Sequence, residues 1–332
     1  MKILVRATNW VGDAIMAIPA LQAIRAREPD ADITILAKRW VSALYEGQSV
    51  ADQLIVLDDL EEPSESLRMD LYDVAILFQN AFHAAWLASR ARIPERIGYA
   101  RDGRGWLLTR AIPVPRDGEI PPHETYYYLE LLRRAGWLEK LPDVQEIRLV
   151  ISAASRKRAS HQLETTGLRA AGRKIAIAPG AAYGSAKCWA PERFAELADR
   201  LIARFHADVI LFGAPSERDI AARIASAMRH RVVNLAGETS IEDLPAHFSM
   251  CDLFVGNDSG AMHVAAAAGV PVVGVFGSTD PDGTGPLTAR RTLVRIAPSC
   301  SPCFLRRCPV DHRCMTRIEV GLVEEAAVKW LE

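Results

Sequence analysis

Residues 2–27, KILVRATNWVGDAIMAIPALQAIRAR, open with a β-branched run, turn at Gly12-Asp13 and continue as a helical pattern. A strand, a tight turn and an amphipathic segment form half of a βαβ unit, and the same alternation recurs down the chain. In the first half, strands are expected at Lys2 to Arg6, Asp32 to Ala37, Gln53 to Leu57 and Asp73 to Phe78. Amphipathic segments lie around 14–27, 40–47, 62–70 and 82–91. A polar, weakly periodic stretch runs from Ser152 to Gly172. A second series follows it, with strands at Lys174 to Ala178, Asp208 to Phe212, Leu253 to Val255, Val272 to Phe276 and Thr292 to Ile296. Pro191 opens a helix with an apolar face of Phe194, Leu197, Leu201 and Phe205, proline being tolerated in a first turn where its missing N–H has no intrahelical partner. The pattern predicts an α/β protein of two Rossmann-like domains, 1–160 and 161–332. Each parallel sheet would present ligand loops at its carboxyl edge, and the two would face one another across a cleft.

Composition narrows the class. A chain of 332 residues is too long for the usual single core and suits two domains of roughly 150 residues each. Hydrophobic residues at 49 % and charged residues at 24 % are those of an ordinary globular protein. A formal net charge of -1 lacks the basic surplus of a general nucleic-acid binder. The apolar start Ile3-Leu4-Val5 is interrupted by Arg6, Asn9 and Asp13, so no secretory signal is expected. From Ser259 to Thr279 no Asp, Glu, Lys or Arg occurs, but Gly269-Val270-Pro271 divides the stretch into an Ala-rich helix and a Val-rich strand suited to a buried core. Without an export signal, the six cysteines are expected as thiols in a cytoplasmic protein.

Four segments could carry chemistry. Asp13, after the first strand and beside a helix N-terminus, is placed to stay ionised and take a proton from a hydroxyl, or else to cap the helix. The loop from Ala178 to Trp189 contains Gly180, Gly184, Ser185 and Lys187. Exposed backbone N–H groups with one cation suit a diphosphate, although no Gly-Lys-Ser or Gly-Lys-Thr of a Walker loop is present. In Gly256-Asn257-Asp258-Ser259-Gly260-Ala261-Met262-His263, Ser259 and Gly260 belong at a helix N-terminus suited to phosphate, and Asp258 could accept from sugar hydroxyls. His263 shares the helix face of Ser259. Glu217, beyond the strand ending at Phe212, fits an acid holding ribose hydroxyls, with Asp219 as the rival.

Two further features stand apart. Cys300, Cys303, Cys308 and Cys314, spaced C-x2-C-x4-C-x5-C with His312 among them, read as a reduced cysteine-rich loop ahead of a structural zinc site, because the second pair lacks C-x2-C spacing. Arg96, Arg101, Arg104, Arg110 and Arg116 face one acid, Asp102, between residues 96 and 116. They suit an anionic acceptor or lipid headgroups, or else a salt-bridged surface.

TNWVGDAIMAIPAL, PGAAYGSAKCWAPERFAELA, GNDSGAMHVAAAAGVPVVGVFGSTDPDGTGPL and CSPCFLRRCPVDHRCM, in that order, resemble the ADP-heptose:lipopolysaccharide heptosyltransferases, most of all those of type II. The resemblance implies a B-type glycosyltransferase fold with the acceptor on the first domain and the donor, ADP-heptose, mainly on the second. It implies an inverting transfer without metal or other cofactor, onto a Kdo- and heptose-bearing lipid A at the inner face of the cytoplasmic membrane. In it Asp13 is the general base, Lys187 with Ser185 neutralises the leaving diphosphate, and Asp258 orients the heptose. Ser259, Gly260 and His263 complete the pocket, Glu217 holds the ribose, and the closing helix is free to return to the first domain. Ala181 and Ala182 stand where related enzymes often carry hydroxyl or acidic residues, which leaves the first phosphate contacts to backbone groups.

Three rivals remain. A UDP- or GDP-sugar enzyme of the same fold would use the same phosphate site. A nicotinamide oxidoreductase is disfavoured because no G-x-G-x-x-G follows either opening strand. A non-catalytic two-lobed binding protein is normally exported.

Overall fold

The computed structural model describes residues 1–57, 67, 71–169 and 172–332. The expected helix around 62–70 lies, apart from Leu67, outside the described residues. The chain divides into two compact units, Met1–Val144 and Gln145–Glu332.

In the first unit β1 (Lys2–Arg6), β2 (Asp32–Lys38), β3 (Gln53–Leu57), β4 (Val74–Leu77), β5 (Glu95–Tyr99) and β6 (Arg110–Ile112) form one sheet in the order β3-β2-β1-β4-β5-β6. In the second unit β7 (Lys174–Ala178), β8 (Asp208–Leu211), β9 (Val233–Asn234), β10 (Leu253–Asn257), β11 (Val272–Phe276) and β12 (Arg291–Arg295) form another, ordered β12-β11-β10-β7-β8-β9. Every neighbouring pair is parallel. Read within each unit, both orders are 3-2-1-4-5-6 or its reverse, so each sheet changes direction beside its first strand. That point, at the strands' carboxyl ends, is where open α/β sheets leave a crevice for ligand. The central strands β1, β4, β7, β10 and β11 are apolar runs buried along almost their whole length, as helices on both faces require.

The division falls earlier than 160 for a local reason. Ile147 N donates to Leu287 O at 3.2 Å and Leu149 N to Ala267 O at 2.9 Å, which attaches the connector to the second unit. The stretch after Ser152 is a helix, Ala153–Thr165, capped by Ser152 Oγ accepting from Ser155 N at 3.0 Å. Its buried stripe is only Ser155, Ala159 and Leu163, too narrow to register as amphipathic in a polar sequence. It docks on the helix Leu244–Ser249, with Ser155 Oγ donating to Glu242 O at 3.2 Å and Gln162 Oε1 lying 2.9 Å from His247 Nε2. The closing helix, Val320–Leu331, packs within the second unit. Its Val320, Val323, Ala326, Ala327 and Leu331 belong to the second core, and Trp330 Nε1 donates to Thr292 Oγ1 at 3.0 Å.

The stretch Ser259 to Thr279 divides as expected, into the helix Gly260–Ala267 and β11, with Gly269 at φ +89 between them. Among the described residues no helix is long and apolar enough to cross a membrane. The arginine patch is largely consumed by the fold. Arg104 is fully buried and donates to Tyr99 O and Asn80 Oδ1, both at 3.0 Å. Arg96 donates to Leu107 O at 2.7 Å and Ile93 O at 2.6 Å, Arg110 pairs with Glu95 at 3.2 Å, and Arg101 reaches Tyr127 Oη at 3.3 Å.

Candidate active site

In the second sheet the loops after β7 and β10 emerge side by side at the point where strand order reverses. Asn257, fully buried at the end of β10, fastens the β7 loop at both ends. Its Nδ2 donates to Pro179 O at 2.6 Å and its Oδ1 accepts from Trp189 N at 3.0 Å. The loop then turns through a 3-10 segment, Ser185–Lys187. This brings Lys187 Nζ to 2.6 Å from Asp258 Oδ2, an ion pair whose side chains are only 12 % and 4 % exposed. Thr279 Oγ1 donates to the same carboxylate oxygen at 2.5 Å and Thr284 Oγ1 at 3.4 Å. The pair is formally neutral, but the ammonium has three donors and Asp258 engages one of them, which leaves hydrogen-bonding capacity for a ligand at the sheet edge.

Beside it the helix Gly260–Ala267 begins at Ser259. Its first-turn N–H groups have no carbonyl within the helix, and its dipole favours an anion. Ser259 Oγ and Ser278 Oγ are buried without a hydrogen-bond partner. A buried hydroxyl left so costs about 1–3 kcal/mol, and a ligand oxygen would remove the deficit. His263, one turn into this helix, is buried. Ser185, in the 3-10 turn, is exposed.

Glu217 closes the other side of the β7 loop. Its Oε2 accepts from Ala214 N at 2.8 Å, and burial pushes its carboxyl above the usual carboxylate range. Gly180 is glycine because a Cβ there would stand 1.8 Å from Glu217 Oε1. Asp219, the rival acid, is exposed. We predict that Gly180→Ala folds normally, because a flexible carboxylate can swing aside, but weakens nucleotide binding roughly tenfold, as Glu217→Gln should. Calorimetric titration of both variants checks this, and unaltered affinity in both would remove Glu217 from the site.

The cysteine-rich segment forms a wall of the same site. Arg306 O accepts from Ala186 N at 3.1 Å and would lie 2.3 Å from any Cβ at Gly184, while His312 Nε2 is 2.9 Å from Ala186 O. Cys300, Cys303, Cys308 and Cys314 are free thiols, and among the described residues no three His, Cys, Asp or Glu side chains are grouped to hold a metal ion.

In the first unit Asp13 lies in the first turn of the helix Val11–Met16, directly after β1. The N-cap is Trp10, so Asp13 is not the cap. Glu124, at the start of the helix Glu124–Arg134, packs near it. Burial and then the charge of Asp13 push the Glu124 carboxyl up to about 7, against a smaller opposing pull from Arg101. A carboxyl raised from 4.5 to about 7 costs the folded state nothing below pH 4.5. The cost grows as pH rises towards 7 and is constant above it. Glu124→Gln should therefore match the native protein in acid and be more stable by on the order of 1–3 kcal/mol above neutral pH. Urea unfolding at pH 4.5 and pH 8 measures it; equal stability at both would show that Glu124 is not strained.

Residues 63–313 match the model of Glycosyltransferase family 9 (heptosyltransferase). The chain belongs to this family. It is 30 % identical over 313 residues to lipopolysaccharide heptosyltransferase 2 of Escherichia coli (strain K12), covering 89 % of this chain and 88 % of the relative. It is 31 % identical, with the same coverage, to that of Salmonella typhimurium (strain LT2). Among solved structures, that of E. coli ADP-heptose lps heptosyltransferase II superposes with a TM-score of 0.85 at 30 % identity, covering 100 % of this chain and 98 % of that one. A family 9 glycosyltransferase from Veillonella parvula gives 0.84 at 22 % identity, a likeness of fold. The fold is that of the B-type glycosyltransferases.

For this glycosyltransferase the structure gathers Gly180, Lys187 and Glu217, and Asp258 beside Ser259, Gly260 and His263, around the edge of one sheet. Sequence reasoning passed over Thr279 and Thr284, which hold Asp258, and Asn257, which sets the loop. The two threonines lie within GSTDPDGTGPL, yet hydroxyls in a polar loop give no local sign of which carboxylate they meet. It also passed over Glu124, whose significance arises only from packing beside Asp13.

Proposed function

We propose that this family 9 enzyme moves L-glycero-D-manno-heptose from ADP-heptose onto the heptosyl-Kdo2-lipid A inner core of lipopolysaccharide, as a heptosyltransferase II. The Lys187–Asp258 pair beside an open helix N-terminus carries the reading, because it supplies the ammonium's remaining donors and N–H dipoles where a diphosphate would depart. The near full-length likeness to enzymes named lipopolysaccharide heptosyltransferase 2 supports the choice of sugar and acceptor.

In this scheme the second unit holds the donor. Lys187 and the Gly260 helix receive the phosphates, with Gly184 and Ser185 offering main-chain N–H groups, Glu217 accepts from the ribose hydroxyls, and Asp258 orients Lys187 and the heptose. Asp13, from the first unit, takes the proton of the acceptor hydroxyl as its oxygen attacks the anomeric carbon. The bond from that carbon to the β-phosphate oxygen breaks, its electron pair leaves with ADP, and the configuration inverts. No metal or cofactor has a role in the scheme, and the enzyme works at the cytoplasmic face of the inner membrane, where its lipid acceptor is made.

The test is ADP release from ADP-heptose with heptosyl-Kdo2-lipid A as acceptor, run beside UDP- and GDP-sugars. Turnover of ADP-heptose with formation of a diheptosyl product is expected. Preference for a UDP- or GDP-sugar would overturn the donor, and turnover only on an acceptor lacking the first heptose would overturn the acceptor.

A further inference from the structure

The segment after the cis Ser301-Pro302 bond is fastened to two loops of the candidate donor site by main-chain hydrogen bonds. Cys303 N and Phe304 N donate to Ser278 O at 3.0 and 2.8 Å. Tyr183 Oη donates to Phe304 O at 2.7 Å, and Ala186 N donates to Arg306 O at 3.1 Å. Gly184 admits this approach only because it lacks a side chain. The backbone of residue 306 is therefore as firmly placed as the loop bearing Lys187.

Its side chain then meets an electrostatic oddity. Arg306 Cζ lies 5.3 Å from the centre of the Tyr183 ring, and Lys187 Nζ lies 5.0 Å from the centre of the same ring. Two cations thus converge on one aromatic, and Asp258 offsets only Lys187. Among the described residues no carboxylate pairs with Arg306. An exposed cation–π contact contributes about 0.5–1 kcal/mol, a modest return for gathering two positive charges on one ring. The unpartnered buried Ser278 Oγ belongs to the residue whose carbonyl anchors the segment. A guanidinium that shares the Tyr183 ring with the site's ammonium, on a segment hydrogen-bonded into the same loops, matches the oxygens of a diphosphate, which a planar fork can engage two at a time.

We infer that Arg306, carried by the cysteine-rich segment, is a second cationic ligand of the donor's diphosphate beside Lys187. The inference rests on the nucleotide-sugar reading above, and it gives this segment a role in binding rather than only in structure.

Titrating ADP, AMP and adenosine into the full-length native protein, Arg306→Gln and Arg306→Lys separates the two. Arg306→Gln is expected to weaken ADP about tenfold, to weaken AMP less and to leave adenosine unchanged, with Arg306→Lys in between. Thermal unfolding of each variant reports whether the fold is intact, and an exposed residue should leave it so. If the native protein binds ADP and Arg306→Gln binds it equally well, the inference fails while the donor reading stands. If the native protein does not bind ADP, both fall. An equal loss for ADP and adenosine would place Arg306 at the base or in structure and also overturn it.

Discussion

Asp13→Asn is expected to lower turnover by at least about a hundredfold while leaving ADP affinity within roughly twofold of native. The argument is positional. Asp13 is in the first unit, after β1, and does not serve as the N-cap of its helix, since Trp10 occupies that position. The residues assigned to the donor all lie in the second unit. An amide of the same shape keeps the packing and removes the capacity to accept a proton, so loss should appear in kcat and not in donor binding. A second consequence is measurable by NMR titration. Removing the Asp13 charge takes away one of the causes that hold Glu124 at about 7, so the Glu124 titration should move to lower pH. Native-like turnover in Asp13→Asn would show that another group takes the proton.

Lys187→Ala should have the larger effect on the protein as a whole. It leaves the Asp258 carboxylate, 4 % exposed, with only the Thr279 and Thr284 hydroxyls. Removing one partner of a buried ion pair commonly costs about 3–5 kcal/mol, because the remaining charge is stranded. In a unit of this size, that corresponds to a fall in unfolding temperature of roughly 10 °C. Donor affinity and rate should fall together, the rate by about a hundredfold or more, since a charge contact to the departing diphosphate is lost. Adding Asp258→Asn separates the two effects. The double variant should recover most of the stability, because the stranded charge is gone, but none of the ADP affinity. Recovery of ADP binding in the double variant would mean that Lys187 acts only as a structural partner of Asp258.

Much of the architecture was legible because fully buried parallel strands are continuous apolar runs. Lys2–Arg6, Lys174–Ala178 and Val272–Phe276 have the bounds expected from sequence. β5 and β6 were not legible. Glu95-Arg96-Ile97-Gly98-Tyr99 mixes charge and glycine, and Arg110–Ile112 is a three-residue edge strand, so neither shows a period. The helix Glu124–Arg134 was missed as well. It buries Glu130, which sequence alone treats as a surface residue, by pairing it with Arg133 at 2.7 Å and Arg134 at 2.6 Å.

The site was legible in kind and not in detail, for the same physical reason. Glycine-rich turns after strands reveal which loops can approach a ligand, so Lys187 and Asp258 could be named although 71 residues separate them. That they pair, and that threonines at 279 and 284 complete the arrangement, follows from the crossover that sets β7 beside β10. The arginines between 96 and 116 show the converse. A cluster of cations reads as a binding surface, yet Arg104 is consumed by carbonyls and an amide of its own unit.

The most direct test of the account is a crystal structure of the protein with ADP. The account predicts the phosphates within hydrogen-bond distance of Lys187 Nζ and the first N–H groups of the Gly260 helix, with the ribose hydroxyls on Glu217. ADP seated away from residues 180–187 and 258–263, or with its ribose and phosphates exchanged, would contradict it.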